Sequence, residues 1–333
     1  MSVKINIGFG SYLTPLDANE KSEIDDAFTE RCVMCREPLD EYNKSDEHIF
    51  PKWLQNMFNL QNQKITLPNN STTLYRQFLV PCCKECNNGV MSAWEKTIEA
   101  AISKGYDEFI KLDEEIIVWW LLKIYYSKAI KELTFKENIK DPNSPMMLSE
   151  SDILAYKNIY YYMCELIKGV KFNNPKPYEL YIYKTQNNED FDYIDDALRH
   201  VVYMQMNDIL VVCSFDSFGV FSIQYKKEIH TLNELDIVHP LNAIELFTKI
   251  IYYKSHYSFD SYHSKMIDCD GVKIDTKIKN IEQVRKFNTY ELYTLLSNVF
   301  KLRGFNDILP YKEGTMISTI PIKNTMFFAE PKE

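Results

Sequence analysis

Glycine is scarce in this chain of 333 residues, with 9 in total, which disfavours the glycine-rich loops that hold phosphate groups. Neither a Walker-type GxxxxGK motif nor a GxGxxG motif occurs, so nucleotide hydrolysis and dinucleotide binding have no support. A long hydrophobic run is also missing. The most apolar stretch, from Ile116 to Tyr126, is too short to cross a bilayer and predicts a buried helix. The first residues lack the apolar core of a secretory signal, so we expect a cytoplasmic protein.

Positive charge is not in excess either. The formal net charge is −9 at pH 7, which counts against a large, independent surface for nucleic acid. If nucleic acid is the substrate, metal ions, a local groove or a partner must supply the attraction. Hydrophobic residues make up 45% of the chain and charged residues 26%, a balance that predicts a folded protein.

Two CxxC pairs are the strongest signal in the sequence. Each CxxC turn offers two sulfurs to one ion, and Zn²⁺ prefers four nitrogen or sulfur ligands in a tetrahedron. In a long chain without a secretory signal, such pairs favour zinc over disulfides. The predicted ligands of a structural zinc ion are Cys32, Cys35, Cys83 and Cys86. Cys82 leaves one alternative open, because it could pair with Cys86 in place of Cys83.

An acid–histidine segment lies between the two pairs, and an asparagine follows the last cysteine directly. A neutral imidazole accepts a proton from water near pH 7, so His48 is suited to act as a general base. Glu47 could bind a hard cation through oxygen, and Asn87 offers a carbonyl oxygen without adding charge. Alone, His48 would be an ordinary histidine, but in this setting we favour a catalytic role.

These motifs resemble the HNH (ββα-metal, treble-clef) endonucleases, in the subgroup with two zinc-binding CxxC knuckles. The resemblance covers roughly residues 30–96 and rests on the two CxxC pairs, the segment Glu47-His48-Ile49-Phe50-Pro51 and Asn87. It implies that Glu47 and Asn87 bind a catalytic divalent cation, Mg²⁺ or another, and that His48 is the general base.

Two choices within this site stay open. Asp46 competes with Glu47 for the cation, and Asn88 competes with Asn87. The distance along the chain from the histidine to the second CxxC pair also implies an insertion near Gln55–Arg76.

The predicted fold class is α+β. A treble-clef ββα-metal module would pack on helices from residues 91–134, and a second region would hold an antiparallel sheet flanked by helices. We predict a nuclease domain at residues 1–140, with its motif core at 30–96, and a regulatory or partner-binding domain at residues 145–333. The turn-rich loop Asp141–Pro145 would separate them.

Further elements follow from periodicity and residue type. Residues 1–26 are predicted to be a short leader, and helices are predicted at about 151–167, 240–254 and 281–302. The predicted strands lie between residues 178 and 230 and include 220–225. The remaining cysteines are predicted to be small buried hydrophobes; they are Cys164, Cys213 and Cys269.

The expected function is therefore hydrolysis of DNA phosphodiester bonds by a metal-dependent HNH endonuclease. Bacterial anti-phage defence is an expected setting, with a protein partner or activator such as an ATPase subunit. Two alternatives remain. One is a zinc-stabilised scaffold that has lost catalysis, and the other is a nuclease directed at RNA. No membrane association is expected.

Overall fold

The structure, a computed structural model, describes residues 4–7, 31–67, 69–133, 135–145, 150–268, 271–304, 311–312, 315–316 and 318–320. Cys269 and most of the predicted leader lie outside the described residues. Among the described helices, none combines the length and the apolarity needed to cross a membrane.

The chain divides into two compact units. The cysteine unit is Gly10–Lys171, and the sheet unit is Met1–Phe9 together with Phe172–Glu333. The predicted boundary at residues 141–145 stays a prediction about independently folding domains.

In chain order, the first strand, β1 (Lys4–Ile7), belongs to the sheet unit. The cysteine unit then contains β2 (Lys44–His48), α1 (Lys52–Met57), β3 (Lys64–Thr66), β4 (Thr72–Leu74), a 3₁₀ turn (Tyr75–Gln77), β5 (Leu79–Cys83), α2 (Lys84–Asn88), α3 (Val90–Ile102), α4 (Tyr106–Phe109), α5 (Glu114–Leu133) and α6 (Glu150–Leu166).

An antiparallel pair of strands, β2 and β5, carries the central motifs of the cysteine unit. Their register places Glu47 opposite Val80 and His48 opposite Leu79. The chain between these strands forms α1 and the β3–β4 hairpin, at the place where an insertion was expected. The acid–histidine segment therefore lies on a paired strand and not on a loose loop.

Helix α5 is apolar around most of its circumference, and such a helix is stable only when it is buried. Trp119 and Trp120 are fully buried, which confirms the predicted buried helix. Trp119 makes an edge contact with Trp94 of α3, with ring centroids 5.2 Å apart. Trp120 stacks on Trp53 of α1 at 5.9 Å. Helix α5 is thereby held against the two helices that follow the motif strands.

The sheet unit is built from long strands and from helices that cover them. Its elements are β6 (Lys171–Phe172, at the junction of the units), β7 (Tyr178–Asp196), β8 (Val201–Phe215), α7 (Val220–Gln224), α8 (Lys226–Asn233), α9 (Pro240–Lys254), β9 (Tyr257–Asp268), β10 (Gly271–Gln283), α10 (Thr289–Leu302), β11 (Tyr311–Lys312) and β12 (Thr315–Met316).

Two sheets dominate this unit. Strands β7 and β8 form one long antiparallel hairpin, and a four-stranded sheet has the order β1-β9-β10-β6. Helix α9 packs on β8, as shown by the edge contact of Tyr203 with Phe247 at 6.4 Å between ring centroids. The α+β class, with an antiparallel sheet beside helices, is confirmed.

The predicted strand at 220–225 is wrong, because Val220–Gln224 form α7 and Tyr225 lies in the turn before α8. The buried carboxylate of Glu179 explains the difference. It accepts hydrogen bonds from the backbone N–H of Phe221 at 3.2 Å and of Ser222 at 2.7 Å. These are amides of the first helical turn, which have no partner inside a helix. Tertiary capping has overridden local β propensity.

The predicted helix at 281–302 begins too early. Residues up to Gln283 continue β10, with Ile281 opposite Phe259 of β9. The helix starts only at Thr289, where the Asn288 side chain accepts from the N–H of Tyr290 at 3.0 Å. An asparagine in this capping position sets a helix start more strongly than the apolar pattern before it.

Candidate functional site

The first CxxC pair lies in a tight turn that is tied to a motif strand. The N–H of Cys32 donates to the Glu37 carbonyl at 2.9 Å, and the N–H of Arg36 donates to the Cys32 carbonyl at 2.9 Å. Arg36 has a left-handed backbone, with φ of 64°, which lets the turn close. The N–H of Val33 donates to the carbonyl of Pro81 in β5 at 2.9 Å. This bond joins the first pair to the strand that carries the second.

The second pair spans the end of β5 and the start of α2. The sulfur of Cys83 accepts from the N–H of Cys86 at 3.3 Å, so the thiol caps the short helix. Gly89 then separates α2 from α3. A Cβ at Gly89 would lie 2.5 Å from the carbonyl oxygen of Glu85, so only glycine lets the chain turn here without displacement. The turn brings α3 back beside the motif strands.

The four predicted zinc ligands come together. Their sulfur atoms all lie within 4.8 Å of one another, and the four residues are Cys32, Cys35, Cys83 and Cys86. The sulfurs of Cys35 and Cys83 are 3.8 Å apart. Zn–S bonds of about 2.3 Å give a tetrahedron with edges of about 3.8 Å, so the donor set and its spacing fit zinc. This is a four-cysteine cluster that could bind zinc.

Cys82 is close to this cluster but is not part of it. Its sulfur lies 3.7 Å from that of Cys32. Among the described residues, however, the group whose ligand atoms are all mutually close contains Cys83 and omits Cys82. The structure therefore supports the two-residue spacing within each pair.

The electrostatics of the cluster also suit a cation. Hydrogen bonds from Cys82 and Cys86 lower the pKa of the Cys32 thiol well below its usual range. The hydrogen bond to Cys32, together with burial, raises the pKa of Cys86 far above its usual value. Thiolates this close together repel one another, so the four thiols cannot all lose their protons without a metal ion. A bound metal ion would balance the negative charges of all four.

A cavity of about 300 Å³ lies beside this cluster. It collects all three residues that were predicted to carry the chemistry, together with Asp46 and several charged side chains from α1 and α3. The residues that line it are Asp46, Glu47, His48, Pro51, Lys52, Trp53, Asn87, Ser92, Glu95, Lys96 and Glu99. Asn88 is exposed and is not among them, so the cavity favours Asn87 over its neighbour.

Glu47 is buried, whereas the neighbouring Asp46 is exposed, as expected for successive residues of a strand. Oxygen Oε1 of Glu47 forms a salt bridge with the ammonium group of Lys123. The other oxygen, Oε2, has no hydrogen bond to any residue in the described part of the chain. Glu47 thus combines one anchored oxygen with one that is open for a ligand.

His48 is half-buried at the cavity wall. Burial lowers the pKa of its imidazole, and the positive charges of Lys52 and Lys123 lower it further, while Glu47 and Asp46 oppose the shift. The imidazole is therefore neutral at pH 7 and can accept a proton.

Asn87 is held by its amide nitrogen. Nδ2 donates to Ser45 Oγ at 3.1 Å and to the backbone carbonyl of Asp46 at 3.4 Å. These bonds use the nitrogen and leave the oxygen Oδ1 for a cation. Both partners belong to β2, so Asn87 is fixed relative to Glu47 and His48.

A residue that the sequence analysis did not single out connects these groups. Lys123 of α5 is fully buried, and its Nζ contacts Glu47 Oε1, Glu95 Oε1 at 2.8 Å and the His48 carbonyl at 3.1 Å. Burial alone would lower the pKa of Lys123, but the carboxylates of Glu95 and Glu47 more than reverse this and raise it. Burial raises the pKa of Glu95, against the pull of Lys123. One signal was available: Lys123 is the only charged residue between Ile116 and Tyr126.

No protein-family model, no curated protein and no solved structure matches this chain. The site is therefore interpreted from its own residues and geometry.

Proposed function

We propose that this protein is an HNH-type endonuclease that hydrolyses DNA phosphodiester bonds with the help of a divalent cation. One observation carries the proposal. A single cavity beside a four-cysteine cluster contains a neutral histidine, a carboxylate with an open oxygen and a fixed asparagine amide. The treble-clef arrangement of knuckle, strand pair and helix is part of the same proposal.

Each residue has a defined task. His48 would accept the proton of the attacking water on its imidazole. Glu47, through Oε2, and Asn87, through Oδ1, are oxygen ligands suited to Mg²⁺ or another divalent cation. When bound, such a cation supplies positive charge that stabilises the phosphate in the transition state. The exposed Lys52 and Lys96 border the same cavity and would attract the phosphate backbone.

The zinc ion would have a structural task only. Four sulfurs fill a tetrahedral zinc site, and a catalytic zinc keeps one position open for water or substrate. The cluster joins a turn near the start of the cysteine unit to β5 and α2, so its metal would hold the cavity walls in place.

The negative net charge of the chain favours a function that depends on a partner protein. A net charge of −9 opposes the approach of DNA, and only a few lysines border the cavity. We propose that a partner or activator, such as an ATPase subunit in a bacterial defence system, brings the DNA to the cavity. The candidate for regulation or partner binding is the region predicted at residues 145–333, most of which belongs to the sheet unit. A purified chain that cuts any plasmid freely without a partner would contradict this part of the proposal.

A plasmid-nicking assay tests the activity. Wild type is incubated with EDTA, Mg²⁺, Mn²⁺ or Ni²⁺, with and without its partner, next to His48→Ala. We expect metal-dependent nicking by wild type and a loss of about 10²-fold or more in His48→Ala, because a general base contributes at least this much. Zinc content should be equal in both proteins.

The matched control is His230→Ala, since His230 is an exposed histidine of the sheet unit with 70% of its side chain accessible. It should cut like wild type. An unchanged rate in His48→Ala would refute the assignment of the base. A parallel assay on single-stranded RNA separates the two nucleic-acid substrates.

A second candidate, a zinc-stabilised scaffold without catalysis, has one observation in its favour. The ammonium of Lys123 already neutralises Glu47, so the cavity is not obliged to bind a metal for charge balance. The two candidates differ in metal content. A scaffold would hold zinc alone, whereas the nuclease would hold zinc and a second, Glu47-dependent cation.

A further inference from the structure

We infer that Lys123 is a positioning residue of this site, which anchors one oxygen of Glu47 and the backbone of His48 so that cation ligand and base share one cavity. The inference rests on the proposed function, because it concerns the same cavity. It extends the site beyond the motif region, to helix α5.

The donors of Lys123 match the acceptors around it in number. A lysine ammonium has three N–H donors and no acceptor. Lys123 Nζ meets three acceptors, from Glu47, Glu95 and the His48 carbonyl. Such a saturated ammonium holds each acceptor in one place, and two of the three belong to consecutive residues of the proposed site.

The ammonium of Lys123 is costly to bury at this position. Lys123 is fully buried, in a helix whose neighbouring residues are tryptophan, leucine, isoleucine and tyrosine. Taking an ammonium out of water is expensive, and replacing a whole buried ion pair by apolar residues is often neutral or stabilising. The cost is understandable if the charge is needed at this point, where Glu47 and Glu95 would otherwise repel each other.

Another lysine on the same helix provides a contrast. Lys128 also forms a buried salt bridge, with Glu132 at 2.5 Å, one turn further along α5. Neither Lys128 nor Glu132 lines the cavity. This pair offers the same chemistry on the same helix outside the cavity lining, and it is therefore a matched control.

The experiment removes the anchor without changing the net charge. Lys123→Met combined with Glu95→Gln deletes one positive and one negative charge, so the total stays at the wild-type value. Glu95→Gln alone is the reference, because the glutamine amide that replaces the carboxylate still accepts a hydrogen bond from Lys123. The control is Lys128→Met with Glu132→Gln. Each protein is assayed for zinc content, for Mn²⁺ affinity by electron paramagnetic resonance, and for nicking at saturating Mn²⁺.

We expect the Lys123→Met/Glu95→Gln protein to keep its zinc, to bind Mn²⁺ at least about tenfold more weakly than Glu95→Gln, and to cut at least about tenfold more slowly, as expected when the groups of a site are misplaced. The bound Mn²⁺ should also show an altered spectrum. The control pair should stay within about threefold of wild type in affinity and rate. Glu95 lines the cavity itself, so Glu95→Gln serves only as the reference for the double variant.

A second variant decides the matter if the Met protein does not fold. Lys123→Gln/Glu95→Gln keeps polar donors at position 123, but its shorter side chain cannot reach all three acceptors. It should bind Mn²⁺ more weakly than Glu95→Gln. Equal Mn²⁺ affinity and equal rate in the double variants and in Glu95→Gln would overturn the role of Lys123 and leave the nuclease proposal intact. A wild type that neither binds Mn²⁺ nor cuts would overturn both.

Discussion

Each of the two units buries a lysine ammonium between two glutamates. The two groups are similar in charge but differ in whether a carboxylate oxygen is open to a ligand. In the sheet unit, Lys249 of α9 lies 2.7 Å from Glu245 and 3.3 Å from Glu228. In the cysteine unit, Lys123 of α5 lies between Glu47 and Glu95. Both lysines are buried, and both hold two carboxylates together.

The difference lies in the remaining carboxylate oxygens. Both oxygens of Glu245 are saturated, because Oε1 accepts from Ser318 Oγ at 2.5 Å and Oε2 accepts from the Thr319 N–H at 2.6 Å. Glu47 lines a cavity, and its Oε2 has no hydrogen-bond partner among the described residues. A buried charge is therefore not a sign of a site by itself. An open acceptor on a cavity wall, next to a base, is such a sign.

The largest expected effect is the unfolding of the cysteine unit alone when its zinc site is lost. Removal of zinc with a chelator, or Cys83→Ser, should abolish amide protection in β2 and β5, since structural zinc contributes on the order of 10 kcal/mol to small metal-bound folds. Protection in β7 and β8 should not change, because the sheet unit has its own apolar core. Hydrogen exchange measures both units in one sample.

Cys164→Ala is the control for this experiment. Cys164 is a cysteine of the same unit outside the cluster, and its loss should leave zinc content at the wild-type level. Full protection of β2 and β5 after chelation would show that the unit does not depend on the metal.

A smaller effect distinguishes Glu245 from Glu47 by how much each contributes to the stability of its unit. Glu245→Gln should destabilise the sheet unit by about 3 kcal/mol, because it weakens several charge-assisted hydrogen bonds at once. Glu47→Gln should cost the cysteine unit less than about 1.5 kcal/mol, because Lys123 keeps Glu95 and the His48 carbonyl as partners. Hydrogen exchange of the amides in α9 and in β2 measures the two losses of unfolding free energy. A larger loss for Glu47→Gln would reverse the assignment of which glutamate is structural.

The most gradual effect is a pH dependence of the sheet unit. Burial, helped by Lys254, lowers the pKa of His200 to about 3, and burial lowers the pKa of His263 to about 4. Below about pH 6.5 the unfolded chain binds these protons and the folded unit does not, so stability falls as pH falls from 6.5 towards 3. The loss between pH 7 and 5 should be on the order of 1–2 kcal/mol for each imidazole.

Urea unfolding of the sheet unit at pH 7 and at pH 5, followed by β7 and β8 amides, checks this dependence. His200→Asn suits as a variant because His200 has a left-handed backbone, with φ of 55°, which asparagine tolerates. It should reduce the slope between the two pH values. Equal stability at both values in wild type would contradict the role of these histidines.

Much of the site could be predicted because its signals are local. The CxxC spacing predicted the four cysteines of the cluster. Three residues that line one cavity were predicted from the acid–histidine segment and from the position directly after the last cysteine. The apolar run around Trp119 predicted the buried helix α5 for the same reason, since periodicity and composition act within one element.

What escaped prediction depends on contacts between distant parts of the chain. Lys123 and Glu95 are 28 residues apart, and only the fold shows that one ammonium joins Glu95, Glu47 and the His48 carbonyl. The helix at Val220–Gln224 depends on the Glu179 carboxylate, which is 43 residues away from Ser222 in sequence. The β9–β10 hairpin was not predicted, because both of its strands contain many polar residues. Segments of this composition resemble loops or the first turns of helices.

The most direct test of the central claim is a count of metal ions per chain, with zinc measured by elemental analysis and Mn²⁺ by titration, in wild type and Glu47→Gln. We predict one tightly bound zinc in both proteins and one further Mn²⁺ in wild type that is lost or at least about tenfold weaker in Glu47→Gln. Zinc alone in both proteins, with no Glu47-dependent cation, would contradict the nuclease and support the scaffold.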